Sequence, residues 1–473
     1  KEYPDKAEGH RLLGLYLSRE GRFDEAVTSL NKSLRIQPDL ETYYLLGLAY
    51  YYLGNLEMAV TQFQTVLDYS PGFVQARIMQ GEIFLRQGRG AEALVVADKM
   101  LETSPDDFRG YALKGDALLL LGKPQESEAM YAKASGLAPT HYGILLKNGL
   151  LKLSLGDATG EQELKKALEI SPQGLDARLA LHAFYLRNGR GEEAMAVLTD
   201  GLSGAKSDAV LYNALAKASL GRKDAAGAED YLTKARAADP AYLQTYYNMA
   251  TFMLAKGKPE DAVAQYDLAL GVKADDVRAL TASAAVLDKQ GKTEEARARL
   301  DKARATGDLG AAMMLSGFLQ QHGKSDEALA VLDQELLKQP GNLGIVQAKA
   351  KLHIARKETD KAMALYGQLE AANPWAGTME RTRAWMALGD EAKAEESARR
   401  LIQLSPNTAQ SYLPLAAILE VRKDRPAAEA ELAKGVELEP KNPRVGVLLA
   451  EFQLRSREVE KALATFEKVL TYA

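Results

Sequence analysis

Residues 40–71 read LETYYLLGLAYYYLGNLEMAVTQFQTVLDYSP, and this stretch decides the fold. In its first half Leu45, Leu46, Ala49, Tyr50 and Leu53 recur at three- and four-residue spacing, which marks one buried face of a helix. Gly54-Asn55 breaks that helix. A second periodic run follows: Ala59, Val60, Phe63, Val66 and Leu67. It stops at Ser70-Pro71, because proline disfavours helical dihedrals in the residue before it. The unit is therefore helix, tight turn, helix, proline-bearing turn.

Outward from this stretch the same unit returns. Turn glycines fall at Gly21, Gly54, Gly88, Gly122, Gly156, Gly189, Gly221, Gly257, Gly291, Gly323 and Gly389, with Lys357 standing in before the last. Most neighbours lie 33 or 34 residues apart. Pro38, Pro71, Pro105, Pro139, Pro172, Pro240, Pro340, Pro374, Pro406 and Pro440 keep the same phase. No segment shows sustained strand alternation. A fixed period of this size identifies a solenoid, in which each unit buries its face only against its neighbours.

The pattern resembles the tetratricopeptide repeat (TPR). The unit from Leu40 carries Tyr43, Leu46, Gly47, Tyr50, Gly54, Ala59, Phe63, Val66 and Pro71 at the family's characteristic places. The unit from Leu243 carries Tyr246, Met249, Ala250, Met253, Gly257, Ala262, Tyr266 and Ala269, with Ala274 in place of the proline. The resemblance implies an all-α, right-handed α-solenoid (superhelix) of about 14 helix-turn-helix repeats. It would form a single array over residues 1–473, with units starting near 7, 40, 74, 108, 142, 175, 207, 243, 277, 309, 343, 375, 409 and 443. Small residues such as Ala26, Ala59, Ala93 and Ala262 let the paired helices approach, and Phe63 and Tyr266 fill the space between units.

Four places depart from the period. The fifth unit loses a residue between Gly156 and Pro172 and carries Gly160 where alanine is expected, which makes it the expected weak joint. The seventh reads as having two extra residues around Ala225 to Ala228, the ninth-to-tenth spacing is 32, and the twelfth reads as having a shortened first helix after Pro374-Trp375. These are expected kinks.

Composition agrees with a folded chain: 47% of residues are hydrophobic and 26% charged, which excludes extended disorder and collagen. A net charge of −4 supplies no field for a polyanion, so no nucleic acid is expected as partner. The longest apolar run, residues 43–53, is far shorter than the ~20 residues a membrane span needs, so this segment is not expected to insert in a membrane. Cysteine is absent, which removes disulfides, thiolate metal sites and cysteine nucleophiles, and leans toward an oxidising compartment; the resemblance of long cysteine-poor TPR arrays to bacterial cell-envelope proteins implies the periplasm or cell envelope. The chain begins at Lys1, and the run Ala462, Leu463, Phe466, Val469 and Leu470 has no helix after it to cover it; both suggest a piece of a longer protein.

Catalytic and cofactor signatures do not emerge. His10, His141, His182, His322 and His353 lie on distant repeats, without the paired spacing of a metal site. Gly323-Lys324-Ser325 and Gly291-Lys292-Thr293 mimic the end of a P-loop but lack its first glycine; they read as turns in which Ser325 and Thr293 cap the next helix. The acidic pairs Asp24-Glu25, Glu192-Glu193, Glu294-Glu295 and Asp326-Glu327 fit the first turn of second helices, where the helix dipole favours negative charge. Pro124, Pro259 and Pro426 suit the start of such helices. No enzyme activity, metal or cofactor is expected.

What remains is a binding surface. Tyr44, Leu48, Tyr51 and Tyr52 share one stripe of the helix from Leu40. By the resemblance, these are positions the family uses for ligand contact. Arg11, Arg19, Glu82 and Arg86 would flank them on neighbouring first helices. Tyr43 and Tyr50 fall on packing positions. The carboxylate clamp of some family members needs asparagines at places where this chain has Arg11, Leu15, Tyr44 and Leu48. The expected function is a non-catalytic scaffold binding a protein or peptide in the concave groove. Self-assembly, or service as an accessory arm of a bacterial envelope export or exopolysaccharide system, are the alternatives.

Overall fold

The computed structural model describes residues 6–471, and helices dominate it. They fall into two compact units, one running to Thr245 and the other starting at Tyr246. The first holds α1 (Ala7–Arg19), α2 (Phe23–Ile36), α3 (Leu40–Tyr52), α4 (Leu56–Tyr69), α5 (Val74–Arg86), α6 (Gly90–Thr103), α7 (Phe108–Leu120), α8 (Pro124–Leu137), α9 (Tyr142–Ser154), α10 (Gly160–Ile170), α11 (Leu175–Arg187), α12 (Gly191–Thr199), α13 (Asp208–Gly221) and α14 (Ala225–Ala238). The boundary falls inside α15 (Leu243–Ala255). The second unit continues with α16 (Pro259–Val272), α17 (Val277–Lys289), α18 (Thr293–Ala305), α19 (Leu309–Gln321), α20 (Ser325–Lys338), α21 (Leu343–Ala355), α22 (Thr359–Ala372), α23 (Pro374–Leu388), α24 (Glu391–Leu404), α25 (Leu413–Val421), α26 (Arg425–Leu438), α27 (Pro443–Arg455) and α28 (Val459–Leu470). Among the described residues there is no strand. The all-α fold class is the expected one.

Odd-numbered helices open each pair. Asp39, Asp107, Asp276, Asp308, Asn342 and Asn442 cap first helices by accepting from backbone N–H groups that have no partner inside the helix. Most second helices dispense with a side-chain cap and are launched by the turn itself. Ser325 and Thr293 correct the expectation: each is the first helical residue, and neither hydroxyl caps. The turn residue is left-handed, as at Gly54 with φ +80°. Lys223, Lys357, Lys423 and Arg457 adopt the same conformation at φ 59–65°.

Lys223 removes one expected irregularity. Gly221 is still helical, and Lys223 takes the left-handed place 34 residues before Gly257, so the seventh pair contains no insertion. The twelfth first helix is not shortened either, because Asn373 caps directly onto Pro374 and α23 runs 15 residues. The real break is in the next pair, where a 3-10 turn at Ala409–Ser411 precedes an α25 of only nine residues.

The core is built from small against large. Ala26, Ala59, Ala93, Ala262 and Ala428 are fully buried where second helices meet first ones, and Phe63 and Tyr131 are closed off beside them. Gly14, Gly47, Gly115 and Gly149 bring the helices of early pairs closer still: a Cβ there would strike Leu30, Phe63, Tyr131 and Leu164. Ala250, Ala284 and Ala350 hold the same place in the second unit. Gly160 is another close approach. It opens α10 rather than interrupting it, and a Cβ would lie 2.5 Å from the Gly149 carbonyl oxygen.

Arg77 and Arg178 replace the large apolar residue usual near the start of a first helix. Each guanidinium donates back to the carbonyl of the preceding proline, Pro71 or Pro172, so the buried charge is hydrogen-bonded. Ion pairs then tie neighbouring pairs together along the turn edge. In the first unit Arg89 meets Glu57 at 3.3 Å, Arg190 meets Glu161 at 2.7 Å and Arg222 meets Glu192 at 2.6 Å. In the second, Arg356 meets Asp326 at 2.6 Å and Arg422 meets Glu391 at 3.1 Å. The acidic partners stand in the first turn of second helices, as the dipole argument anticipates.

Candidate functional site

The tyrosines of α3 divide in two. Tyr44 turns inward: its ring lies 5.7 Å from Phe63 and 5.1 Å from Phe73, centroid to centroid. Burial pushes its hydroxyl pKa up, with the Glu82 charge adding to the effect. Leu48 packs against the same core. Tyr51 is half-buried along the edge of that core and meets the exposed Tyr52 edge to face at 5.5 Å. The Arg86 guanidinium stands 5.7 Å over the Tyr51 ring, within cation–π range. Tyr52 stacks on Phe23 at 5.0 Å yet remains 63% exposed.

The flanking charges divide as well. Arg11 is held by Glu41 at 2.8 Å and Asp39 at 3.5 Å, which draws it to the start of α3 and away from Tyr51. Arg19 is exposed at the end of α1. Glu82 lies in one groove with Tyr51, Leu85, Asp116, Leu119, Leu120 and Lys147. The groove encloses about 680 Å³, and its walls come from α3, α5, α7 and α9, the first helices of four successive pairs. Leu119 and Leu120 are 40% and 45% exposed there. Lys147 donates to Asp116 at 2.7 Å, and the Tyr131 hydroxyl donates to the same carboxylate at 2.6 Å. Partial burial raises the Glu82 carboxyl, Lys147 opposes that, and Asp116 reinforces it.

Leu85, Leu119, Leu120, Asp116 and Lys147 escaped the sequence reading. The signal was present for most of them: adding 34 to Tyr51 and Tyr52 gives Leu85 and Arg86, and adding it again gives Leu119 and Leu120. A stripe on one helix is visible from periodicity, whereas a groove across four is visible only when the repeat is stacked.

The second unit carries a smaller slot of about 380 Å³ on α21, α22 and α23, lined by Leu343, Leu369, Trp375 and Met379. Trp375 is fixed by donation from Nε1 to Ser411 at 3.0 Å. Glu380 edges the slot, paired with Arg383 at 2.6 Å and Lys351 at 3.5 Å. Burial alone would raise its carboxyl, but hydrogen bonding from Gln347 and the two cations leave it below the usual value.

The histidines hold structure together. His141 caps α9, His182 bonds the Ala194 carbonyl at 2.8 Å, His322 pairs with Asp288 at 2.7 Å and His353 with Glu358 at 2.7 Å. Among the described residues, no cluster of three metal-ligating side chains occurs, and no helix is long and apolar enough to cross a membrane.

Family models of the tetratricopeptide repeat match residues 10–40, 44–108, 108–141, 158–218 and 219–286. The chain belongs to the tetratricopeptide repeat superfamily. Its TPR repeats indicate a protein-interaction scaffold. It is 22% identical over 515 residues to the protein CTR9 homolog of Arabidopsis thaliana, covering 95% of this chain and 47% of that protein. The chain thus spans less than half the length of the curated relatives it matches. Among solved structures, MamA from Desulfovibrio magneticus RS-1 is 27% identical with a TM-score of 0.33, over 36% of this chain and 97% of that one. Yeast Tom70 is 15% identical with a TM-score of 0.38, over 95% and 96%.

Proposed function

We propose that residues 1–473 act as one non-catalytic repeat array and that the groove beside Tyr51 holds a segment of a partner protein. The observation that carries the reading is chemical. Exposed Leu119 and Leu120 line up with Leu85 and the Tyr51 ring, while Glu82, Asp116, Lys147 and Arg86 stand around them. Apolar floor and charged margin are the anatomy of a protein-binding surface, and aromatic and arginine side chains are its commonest hot spots. Tyr52 extends the surface, Tyr44 and Leu48 support it from beneath, and Arg11 and Arg19 lie outside it.

A photo-crosslinking residue at Leu119 provides the test in lysate of the native organism. Proteins captured there should be lost, by about tenfold or more, when Tyr51→Ala and Leu120→Asp are combined. Tyr69→Ala, which changes an exposed tyrosine outside the groove, should leave capture intact. Loss of capture with both variants, or with neither, would overturn the assignment. Melting curves of each variant establish that the helices persist.

A further inference from the structure

A second charged cleft lies in the second unit, lined by side chains of α22, α23 and α24. It encloses about 520 Å³ and is lined by Arg381, Trp385, Lys393, Arg399 and Arg400, against a single acidic residue, Glu396. This reverses the sign of the chain as a whole, whose net charge is −4. Three of the lining cations also hold partners outside the cleft: Arg381 meets Glu370 at 3.0 Å, Arg399 meets Glu395 at 2.6 Å and Lys393 meets Asp390 at 3.1 Å, while Arg400 pairs with no carboxylate among the described residues. Nε of Arg381 is buried without an acceptor. The Lys393 ammonium stands 4.4 Å over the Trp385 ring, so an apolar surface adjoins the cations.

We propose that this cleft binds an acidic segment of a partner protein, with carboxylate side chains toward Arg400 and Lys393 and an aliphatic or backbone portion against Trp385. Charge complementarity selects the occupant. Arginine presents paired donors that match a carboxylate, and an opening of this size admits more than one side chain. A nucleic acid would need a continuous basic track to follow its phosphates. The cations here are confined to one cleft, bounded by Glu395, Glu396 and Glu431. This site is independent of the groove beside Tyr51, so either assignment can fail without the other.

The probe is a fluorescein-labelled hexaglutamate peptide, titrated against the full chain at low ionic strength and followed by anisotropy. Binding should weaken steeply with added salt. Lys393→Glu with Arg400→Glu should reduce affinity about tenfold or more, since each reversal removes a charge-assisted contact and adds repulsion. Arg35→Glu with Lys32→Glu, the same charge change on exposed α2, should alter it little. Absence of binding, or equal loss in both double variants, would overturn the proposal. A single-stranded oligothymidine that binds more tightly than the peptide and is lost with the same cleft variant would overturn it in favour of nucleic acid. Circular dichroism on both variants separates lost affinity from lost fold.

Discussion

Glycine is retained in the early repeats by contact, not by flexibility, and two alanine substitutions of opposite sign expose this. At Gly47 an added Cβ would lie 2.6 Å from Cε1 and 2.9 Å from Cδ1 of Phe63. That ring cannot retreat: it is fully buried, with Tyr44 at 5.7 Å. Overpacking of this kind costs about 1–3 kcal/mol. Alanine returns about 1 kcal/mol of helix propensity, so Gly47→Ala should lose about 1 kcal/mol net. Gly367, inside α22, has no atom within 4 Å of the corresponding position. Gly367→Ala should therefore gain up to about 1 kcal/mol. Repeat arrays depart from two-state unfolding, so a global midpoint alone is a poor readout. Native-state hydrogen exchange reads the local change directly: amides of α3 and α4 should open more readily in the first variant, and those of α22 less readily in the second. If Gly47→Ala protects α3 as Gly367→Ala protects α22, the close approach is not what keeps glycine at residue 47.

Two further outcomes follow from the turns and the ion pairs. Lys357 sits at φ +59°, which costs a non-glycine residue about 1–2 kcal/mol, while glycine gives back roughly 0.5–1 kcal/mol in the unfolded chain; Lys357→Gly should slightly slow native-state hydrogen exchange in α21 and α22, and markedly faster exchange there would contradict it. Glu161 is hydrogen-bonded by Arg190, Lys165 and Tyr185, which together outweigh its burial and hold its carboxyl at about 2 against an ordinary 4.5. Because the folded value is the lower one, its contribution is complete above pH 4.5 and is lost as pH falls toward 2. Glu161→Gln should be less stable at neutral pH and show a shallower acid dependence in that window; identical acid profiles would mean the pairing contributes nothing.

The helix-pair fold was legible because turn chemistry and apolar spacing are local. Gly54, Ala59 and Pro71 each announce their role within a few residues. The misreadings share a cause. Lys223 occupies a conformation that glycine usually marks, so counting glycines placed the turn two residues early. Pro374 looked like an interruption, but Asn373 beside it caps the helix it begins. Tyr44 lies on the same stripe as Tyr51, yet Phe73 from the next pair closes over it. A single-helix pattern contains no information about that neighbour. The cleft beside Trp385 was invisible for the same reason, since its walls come from three helices.

The rungs along the turn edge bear on how the protein meets force. A tension applied along either unit would load the clips of that unit in series, Arg89–Glu57 and Arg190–Glu161 in the first and Arg356–Asp326 in the second, each joining a pair of helices to the next. Because every clip spans one joint only, extension would proceed pair by pair and reverse in the same way. The clips are partly exposed, and at 1 M salt the screening length shrinks to about 3 Å. The array should thus behave as a spring that is stiffer in dilute buffer than in brine, while the apolar joints beneath the clips keep its rest length unchanged.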